Sequence, residues 1–335
     1  MRTLRKILAA VSLLAAFPFA SALAEDAPAG AAEITFPTQV QLGNIFTLGE
    51  KVELEAAVQT GTAVEWTVRD FEDKQVAAGT TPVTDRKARF APGVDAKGYY
   101  LVQLTSKTGR QVHGEAQTSY AVIAPADLAK LSDSKFGVMT HFAQNMPTDI
   151  LGLMAKAGAV SVRDEQYWGA VEKAKGQYLI PERYQKYMDE LKALGLDPLF
   201  VASFGNTLYD NQPKIPSYKL APYSREGYEG YANYCLAVLK HYGPQIRAVE
   251  IWNEYNGTFC AGKAAEDRPK HYTEMLRVAY EKIKAARPDV KVLGGATVKI
   301  PLPYLEKLFQ RGALKYMDAV AVHPYQSPES VEQDV

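Results

Sequence analysis

Residues 248–259, with the sequence AVEIWNEYNGTF, form the segment whose residue types are best suited to catalysis. A strand-like run leads into Trp252, after which Asn253 and Glu254 stand together and a glycine-containing loop follows. A carboxylic acid at the rigid, partly dry end of a strand can be kept partly protonated by desolvation, and it can then protonate a leaving oxygen. Glu254 is therefore a candidate general acid/base.

Polar side chains also follow the other predicted strands. They are His141, Arg163 with Asp164, Asn206, Thr297, and His323 with Tyr325. Aromatic residues occupy the loops beyond, among them Trp168 and Tyr255. Rings beside a few fixed carboxylates, amides and an arginine suit a carbohydrate, whose C–H faces pack on rings and whose hydroxyl groups need polar partners. We predict a polysaccharide or oligosaccharide substrate, with contacts from His141, Asn206, Trp168 and Tyr255. For Trp168 and Tyr255, packing within their loops is the alternative.

The sequence argues against several other kinds of site. It shows no phosphate loop and no Ser-His-Asp spacing, and His141 and His323 are single and far apart, so we expect no metal and no cofactor. The 38 basic and 38 acidic residues give zero formal net charge, which provides no basic field for nucleic acid. Cys235 and Cys260 are too few for a disulfide framework, and a bond between them is left open.

The first 24 residues have the features of a secretory signal peptide. Three basic residues precede an apolar run at 7–19, and a cleavage site of small residues ends at Ala24. The alternative is an uncleaved membrane anchor, but the run is shorter than the roughly 20 residues that a spanning helix needs. We expect cleavage after Ala24, a secreted or periplasmic protein, and no membrane insertion after cleavage.

Residues 25–33 resemble a linker, and residues 34–124 contain short alternating runs such as KVELEAAV and YYLVQLTS, separated by turns. Several short strands at regular spacing predict an antiparallel β-sandwich of immunoglobulin-like type. We identify no set of catalytic residues in this region. We interpret it as a packing module, with sugar binding by exposed aromatic residues as the alternative.

Strand-like and helical runs alternate in the predicted second domain, residues 135–335. The strands are predicted within 136–142, 159–165, 197–206, 248–254, 290–297 and 318–326. These are short apolar runs, as expected for parallel strands that are buried on both faces. A barrel is favoured over a doubly wound sheet, because no glycine-rich fingerprint follows the first strand and polar residues collect past the strand ends. We therefore predict an α/β fold of the (β/α)8 TIM-barrel type, truncated after strand 6.

The motif VEIWNEYNG resembles the strand-4 motif of the clan of retaining glycoside hydrolases that are built on (β/α)8 barrels. The region 135–335 is most similar to glycoside hydrolase family 39 and related exopolysaccharide hydrolases. The resemblance implies that Glu254 is the general acid/base and that Asn253 holds the 2-hydroxyl group of the sugar.

Three further residues match weaker motifs of the same clan. Arg163, at the end of AVSVR, is similar to a strand-2 arginine that lies near the nucleophile. His323 and Tyr325, in AVHPY, match a His-x-Tyr pattern of strand 6. The resemblance implies that these residues line the sugar subsite.

Hydrolysis with retention requires a second carboxylate roughly 5 Å from the first. The resemblance implies that it stands at the end of strand 7, so we expect this nucleophile beyond Val335. The chain as far as Val335 is then expected to be inactive in hydrolysis. Glu329 and Glu332, in the polar tail, are interpreted as solvated side chains.

The other carboxylates near the predicted site have simpler interpretations. Asp164 and Glu165 are expected to cap a segment or to pair near Arg163, which itself could serve to neutralise Asp164. Glu250 shares the alternation phase of Glu254, so it is expected to point inward and form a buried ion pair with a basic residue.

Two other interpretations stay open. One is a non-catalytic carbohydrate-binding or scaffold protein that is derived from such a barrel and keeps its cleft. The other is an exchanged dimer, in which two chains complete one barrel. Oligosaccharide binding without turnover would favour the first, and an obligate dimer would favour the second.

Overall fold

The computed structural model describes residues 33–36, 42–127, 130–131 and 134–325. The chain divides into two compact units, Met1–Val122 and Ile123–Val335. The predicted signal peptide, most of the predicted linker, Glu329 and Glu332 lie outside the described residues. Within the described ranges, every helix is too short or too polar to cross a membrane.

The first unit consists of two antiparallel sheets. Its strands are β1 (Ile34–Thr35), β2 (Ile45–Thr47), β3 (Leu54–Val58), β4 (Ala63–Arg69), β5 (Gln75–Pro82), β6 (Lys87–Phe90), β7 (Gly98–Thr108) and β8 (Gln111–Ile123). One sheet has the order β1-β3-β6 and the other has the order β2-β8-β7-β4-β5. Both sheets contribute alternate residues to one hydrophobic core. The two-sheet arrangement agrees with the predicted sandwich, whereas its immunoglobulin-like type stays a prediction.

Strand β5 was missed by the sequence prediction. Its residues are mostly small or polar, and it forms the edge of its sheet next to β4. A Cβ atom on Gly79 would lie 2.3 Å from the indole of Trp66, so the glycine lets this ring pack across the strand. A strand of this composition lacks the apolar alternation by which strands are recognised.

The second unit contains a parallel sheet with helices between its strands. Its strands are β9 (Val138–Met139), β10 (Ser161–Tyr167), β11 (Glu172–Ala174), β12 (Gln177–Tyr178), β13 (Asp197–Ser203), β14 (Ala248–Ile251), β15 (Lys291–Val298) and β16 (Ala319–His323). Its helices are α1 (Leu151–Lys156), α2 (Trp168–Val171), α3 (Glu182–Leu194), α4 (Arg225–Tyr242), α5 (Lys263–Glu266), α6 (Arg268–Ala286) and α7 (Leu302–Gln310).

The main sheet has the order β16-β15-β14-β13-β10-β9, and every neighbouring pair is parallel. This is chain order without reversal, as between consecutive barrel strands, whereas a doubly wound sheet reverses its order at a switch point. The six predicted strands are therefore present in a barrel-like order. Strands β11 and β12 form a separate two-stranded sheet.

Capping residues mark the start of α4 and the end of α3. The Ser224 side chain accepts a hydrogen bond from the Gly227 amide at the start of α4, and Gly195 ends α3 with a φ of 70°. Helix α4 packs against α6 and buries Cys235. Both Cys235 and Cys260 are free and buried.

The predicted boundary of the second strand was wrong in a way that affects the site. The second strand of the sheet was predicted to end at Glu165, but β10 continues to Tyr167. Arg163 and Asp164 therefore lie inside a strand, with their side chains on opposite faces of the sheet, and not in the loop beyond it.

Candidate active site

Glu254 lies in a tightly fixed turn three residues past the end of β14. Trp252 and Glu254 adopt left-handed backbone conformations, with φ values of 71° and 50°. Such conformations are uncommon for residues other than glycine and persist only where the surroundings enforce them. The Trp252 amide lies 3.1 Å from the Ala202 carbonyl oxygen, and the Tyr255 amide donates to Ala296 at 3.1 Å. Contacts with both neighbouring strands thus fix the backbone that carries Glu254.

The Glu254 carboxylate is held by the last residue of β16. Its Oε1 atom lies 3.1 Å from Nδ1 of His323. The two side chains are 14% and 13% exposed, so the carboxylate reaches solvent while most of it is covered. A largely covered carboxyl group that a neighbouring side chain holds in place is suited to proton transfer.

A buried ion pair contacts His323 through the ring nitrogen that does not face Glu254. Nε of Arg163 lies 2.7 Å from Oε2 of Glu250, and Nη2 lies 2.9 Å from Oε1 of the same carboxylate. Nε2 of His323 lies 2.9 Å from Oε1 of Glu250. The predicted buried ion pair of Glu250 is confirmed, and its basic partner is Arg163.

Asn253 is oriented by the same arginine. Nη2 of Arg163 carries two hydrogens, and its two shorter contacts, both 2.9 Å, are to oxygens of Glu250 and Asn253. The 3.2 Å contact to Nε2 of His323 is the longest of the three, so we assign both hydrogens to the oxygens. This fixes the amide oxygen of Asn253 on the arginine.

Asp164 is not neutralised by Arg163, contrary to the alternative considered for that arginine. Its carboxylate accepts from Oγ1 of Thr140 at 2.6 Å, from the Phe142 amide at 2.8 Å and from the Glu165 amide at 2.6 Å. Asp164 therefore caps the segment that follows β9, one of the two roles expected of it.

The charges in this cluster reinforce one another. Burial opposes the charge on Glu250, but the hydrogen bonds from His323 and Arg163 outweigh it and lower the pKa of Glu250. Burial also opposes the charge on His323, yet the hydrogen bond to Glu250 and the negative charge of that residue leave the pKa of His323 raised. The imidazole between Glu250 and Glu254 is thus stabilised in its cationic form.

Two further titratable groups stand nearby. Desolvation and the Glu254 carboxylate raise the pKa of Tyr325, an exposed residue just past β16. Burial and the charge of Asp164 raise the pKa of Glu165, and the Tyr167 hydroxyl donates to its Oε2 at 3.2 Å. Glu165 is therefore a buried acid with a stabilised neutral form.

His141 and Asn206 have other partners. Nδ1 of His141 contacts the Gln144 amide at 3.1 Å, in the segment after β9. Asn206 is buried, donates to the Glu172 carbonyl at 2.8 Å and accepts from the Leu208 amide at 3.0 Å. These contacts hold the loop that carries Asn206 against the start of β11.

Two predicted substrate contacts, Trp168 and Tyr255, require correction. Trp168 is 1% exposed, stacks on Tyr209 and donates to Glu172 at 2.5 Å. Tyr255 is fully buried and packs edge-on against Tyr272. Neither ring offers a face to a sugar, because Tyr209 and Tyr234 stack on Trp168 and Tyr272 packs against Tyr255.

Within the described ranges, no group of three or more histidine, cysteine or acidic side chains could hold a metal ion. The bridging arrangement of His323 was not predicted. The alternation of side chains along the strand indicated that Glu250 points inward. The sequence could not show that the histidine of the last strand reaches back to β14.

Comparison with known proteins finds similarity in structure. No family model matches the sequence, and no curated protein matches it. A family 39 glycoside hydrolase from the gut symbiont Bacteroides cellulosilyticus WH2 is similar with a TM-score of 0.70 and 21% identity, covering 87% of this chain and 58% of that chain. A GH39 β-xylosidase from Caulobacter crescentus is matched with a TM-score of 0.46 and 18% identity, over 59% of this chain and 49% of that chain.

The chain thus spans 58% of the length of the Bacteroides enzyme. Over most of its length, the chain has the fold of a family 39 glycoside hydrolase.

Proposed function

We propose that this protein is a retaining O-glycoside hydrolase that acts on an oligosaccharide or polysaccharide, with Glu254 as its general acid/base. The observation that carries the proposal is the Glu254 carboxylate, which is held 3.1 Å from His323 in a fixed turn at the carboxyl edge of the parallel sheet. Active sites of barrel enzymes lie at this edge. Asn253, fixed by Arg163, stands beside it as a group that can bind a sugar hydroxyl.

In the proposed reaction, protonated Glu254 gives its proton to the glycosidic oxygen while the bond from that oxygen to the anomeric carbon breaks. A second carboxylate attacks the anomeric carbon and forms a glycosyl-enzyme. Glu254, now ionised, takes a proton from water as the water oxygen attacks the same carbon and releases the carboxylate. The electron pairs and protons balance over the two steps.

The described carboxylates closest to this network are poorly suited to be that nucleophile. Glu250 is bound on both oxygens by Arg163 and His323. Glu165 has a raised pKa, which favours the neutral and therefore non-nucleophilic acid. We propose that the attacking carboxylate comes from outside the described residues, as expected from the sequence.

The test is hydrolysis of neutral aryl glycosides and oligosaccharides by the full natural protein and by Glu254→Gln. Loss of a general acid/base lowers kcat by about 10²- to 10⁴-fold. Glu306→Gln is the matched control, since it neutralises an exposed carboxylate on α7 and should retain wild-type rates. Equal activity in Glu254→Gln and wild type would contradict the assignment.

A non-catalytic carbohydrate-binding function is the second candidate. The observation that favours it is the 3.1 Å contact between Nδ1 of His323 and Glu254. The raised pKa of His323 favours the protonated ring, which would donate to this carboxylate and fix it as an acceptor for sugar hydroxyl groups. Oligosaccharide binding with no turnover on any substrate of the panel would select this function.

The location and the role of the first unit are also proposals. The N-terminal sequence supports export and cleavage after Ala24, which N-terminal sequencing of the protein from expressing cells would test. The two-sheet unit would serve as an immunoglobulin-like packing module.

A further inference from the structure

Three aromatic side chains form a continuous row at the carboxyl edge of the sheet. Tyr167 is the last residue of β10, Phe204 directly follows β13, and Phe259 lies in the loop after β14. The Tyr167 and Phe204 ring centroids are 5.6 Å apart, and those of Phe204 and Phe259 are 5.0 Å apart with an interplanar angle of 24°. Three adjacent strands thus each deliver one ring to the same place.

This row lines a cavity of about 840 Å³. That volume falls within the range of about 300–1,000 Å³ that is typical of small-molecule sites. The wall includes Gly169 and Gly205, and a Cβ atom on Gly205 would lie 1.8 Å from the Leu220 carbonyl oxygen, so no larger residue fits there without displacing backbone. We call this cavity the aromatic groove.

The polar groups of the aromatic groove are mostly neutral. Its lining includes the hydroxyl groups of Thr207, Ser217 and Tyr218 and the amide of Gln144, with Lys173 as a charged member. Glu172, also in the lining, is occupied by hydrogen bonds from Trp168 and other groups. Ring faces combined with hydroxyl and amide groups match an uncharged sugar better than an anionic or cationic ligand.

One strand, β10, contributes residues both to the aromatic groove and to the Glu254 cluster. Side chains alternate along β10, so Arg163, Glu165 and Tyr167 share one face. Arg163 belongs to the Glu254 network, and the Tyr167 hydroxyl donates to Glu165. Arg163 and Tyr167 are four residues apart, which is about 13 Å along a strand. The groove therefore lies beside the reacting position and not in it.

We infer that the aromatic groove binds a further sugar unit of a neutral oligosaccharide whose scissile bond lies at Glu254. The inference rests on the proposed function and narrows its substrate class to chains of several units. Tyr218, which is 47% exposed at the rim, stacks on the sugar from the solvent side, and the row from Tyr167 to Phe259 forms the inner wall.

The experiment measures affinity against chain length. Neutral xylo-, cello- and manno-oligosaccharides of increasing length, from monosaccharide upward, are titrated calorimetrically into the full chain carrying Glu254→Gln, which slows turnover during the titration. For the series that binds, we expect affinity to rise from mono- to trisaccharide by on the order of tenfold, the gain of about one to two ring contacts. Adding Tyr218→Ala or Phe259→Ala should bring the ratio of trisaccharide to monosaccharide affinity close to one. Tyr218→Phe should restore the original ratio.

Phe71→Ala is the matched control, because it removes an exposed ring from the first unit and should keep the length dependence. Affinity that is independent of length, or a length dependence that survives both alanine variants, would overturn the inference. Absence of all binding would overturn it too. Hydrolysis of single-sugar aryl glycosides by the wild-type protein separately tests the proposed function. Failure of the proposed function can therefore be told apart from failure of the inference about the aromatic groove.

Discussion

Nδ1 of His323 lies 3.1 Å from Oε1 of Glu254, while the other ring nitrogen of the same imidazole lies 2.9 Å from Glu250. One side chain therefore connects a buried carboxylate, which Arg163 holds at two points, to a carboxylate that reaches solvent. This makes His323 a positioning residue for Glu254. The ion pair between Arg163 and Glu250 sets the orientation of His323. Neither member of this pair can take part in chemistry without losing its hydrogen bonds.

Glu250→Gln should destabilise the second unit. The substitution removes the negative charge that Arg163 and His323 share in a covered site, and an uncompensated buried charge costs about 3 kcal/mol or more. Urea unfolding followed by tryptophan fluorescence measures the loss. Glu226→Gln is the control, since it breaks only an exposed pair with Lys175 and should change the stability little. Equal effects of the two substitutions would contradict the account.

The contribution of His323 to stability should depend on pH. Its pKa is raised in the folded protein above the ordinary value of 6.5, so the folded state holds the proton more tightly than the unfolded state. The stabilisation is fully present below about pH 6.5 and is lost as the pH rises through the folded pKa.

The difference in unfolding free energy between wild type and His323→Gln should therefore shrink as the pH is raised from about 6. His241→Gln, on the exposed surface of α4, should follow the wild-type profile. A difference that is constant or grows with pH would show that His323 is not stabilised as a cation.

Both cysteines should be unreactive in the native protein. Burial raises the pKa of the Cys235 thiol, and burial raises the pKa of the Cys260 thiol to about 11, so neither forms a thiolate near neutral pH. Ellman's reagent should detect no thiol in buffer and two in denaturant. Two thiols in buffer would contradict their burial, and none in denaturant would show a disulfide.

Trp168→Phe should reduce stability and leave sugar affinity unchanged. Glu172 loses the indole donor, and leaving a buried carboxylate without this hydrogen bond costs at least about 1 kcal/mol. The two measurements are urea unfolding and oligosaccharide titration of the same variant. Tyr218→Ala should show the opposite pattern, and a loss of affinity in Trp168→Phe without loss of stability would restore Trp168 as a substrate contact.

The order of strands and helices was predictable because its signals are local. Apolar runs marked the six parallel strands, and helical runs alternated with them. Strand β5 lacked such a signal, since its residues are mostly small or polar and its Gly79 accommodates the ring of Trp66 from the neighbouring strand.

The candidate site was predictable only in part. The position of Glu254 follows from its place after a strand, and the inward direction of Glu250 follows from alternation. The burial of Trp168 and Tyr255 depends on Tyr209 and Tyr272, which are distant in sequence, and no local pattern reports such packing.

The measurement that tests the central claim most directly is the dependence of kcat/KM on the leaving group, for wild type and Glu254→Gln on aryl glycosides of one sugar. A leaving group that departs without a proton does not need the acid, whereas a poor one does. We predict a loss on the order of 100-fold or more for the poorest leaving group and little loss in the glycosylation step for dinitrophenolate. An equal loss across the series, or none, would contradict the assignment of Glu254 as the general acid.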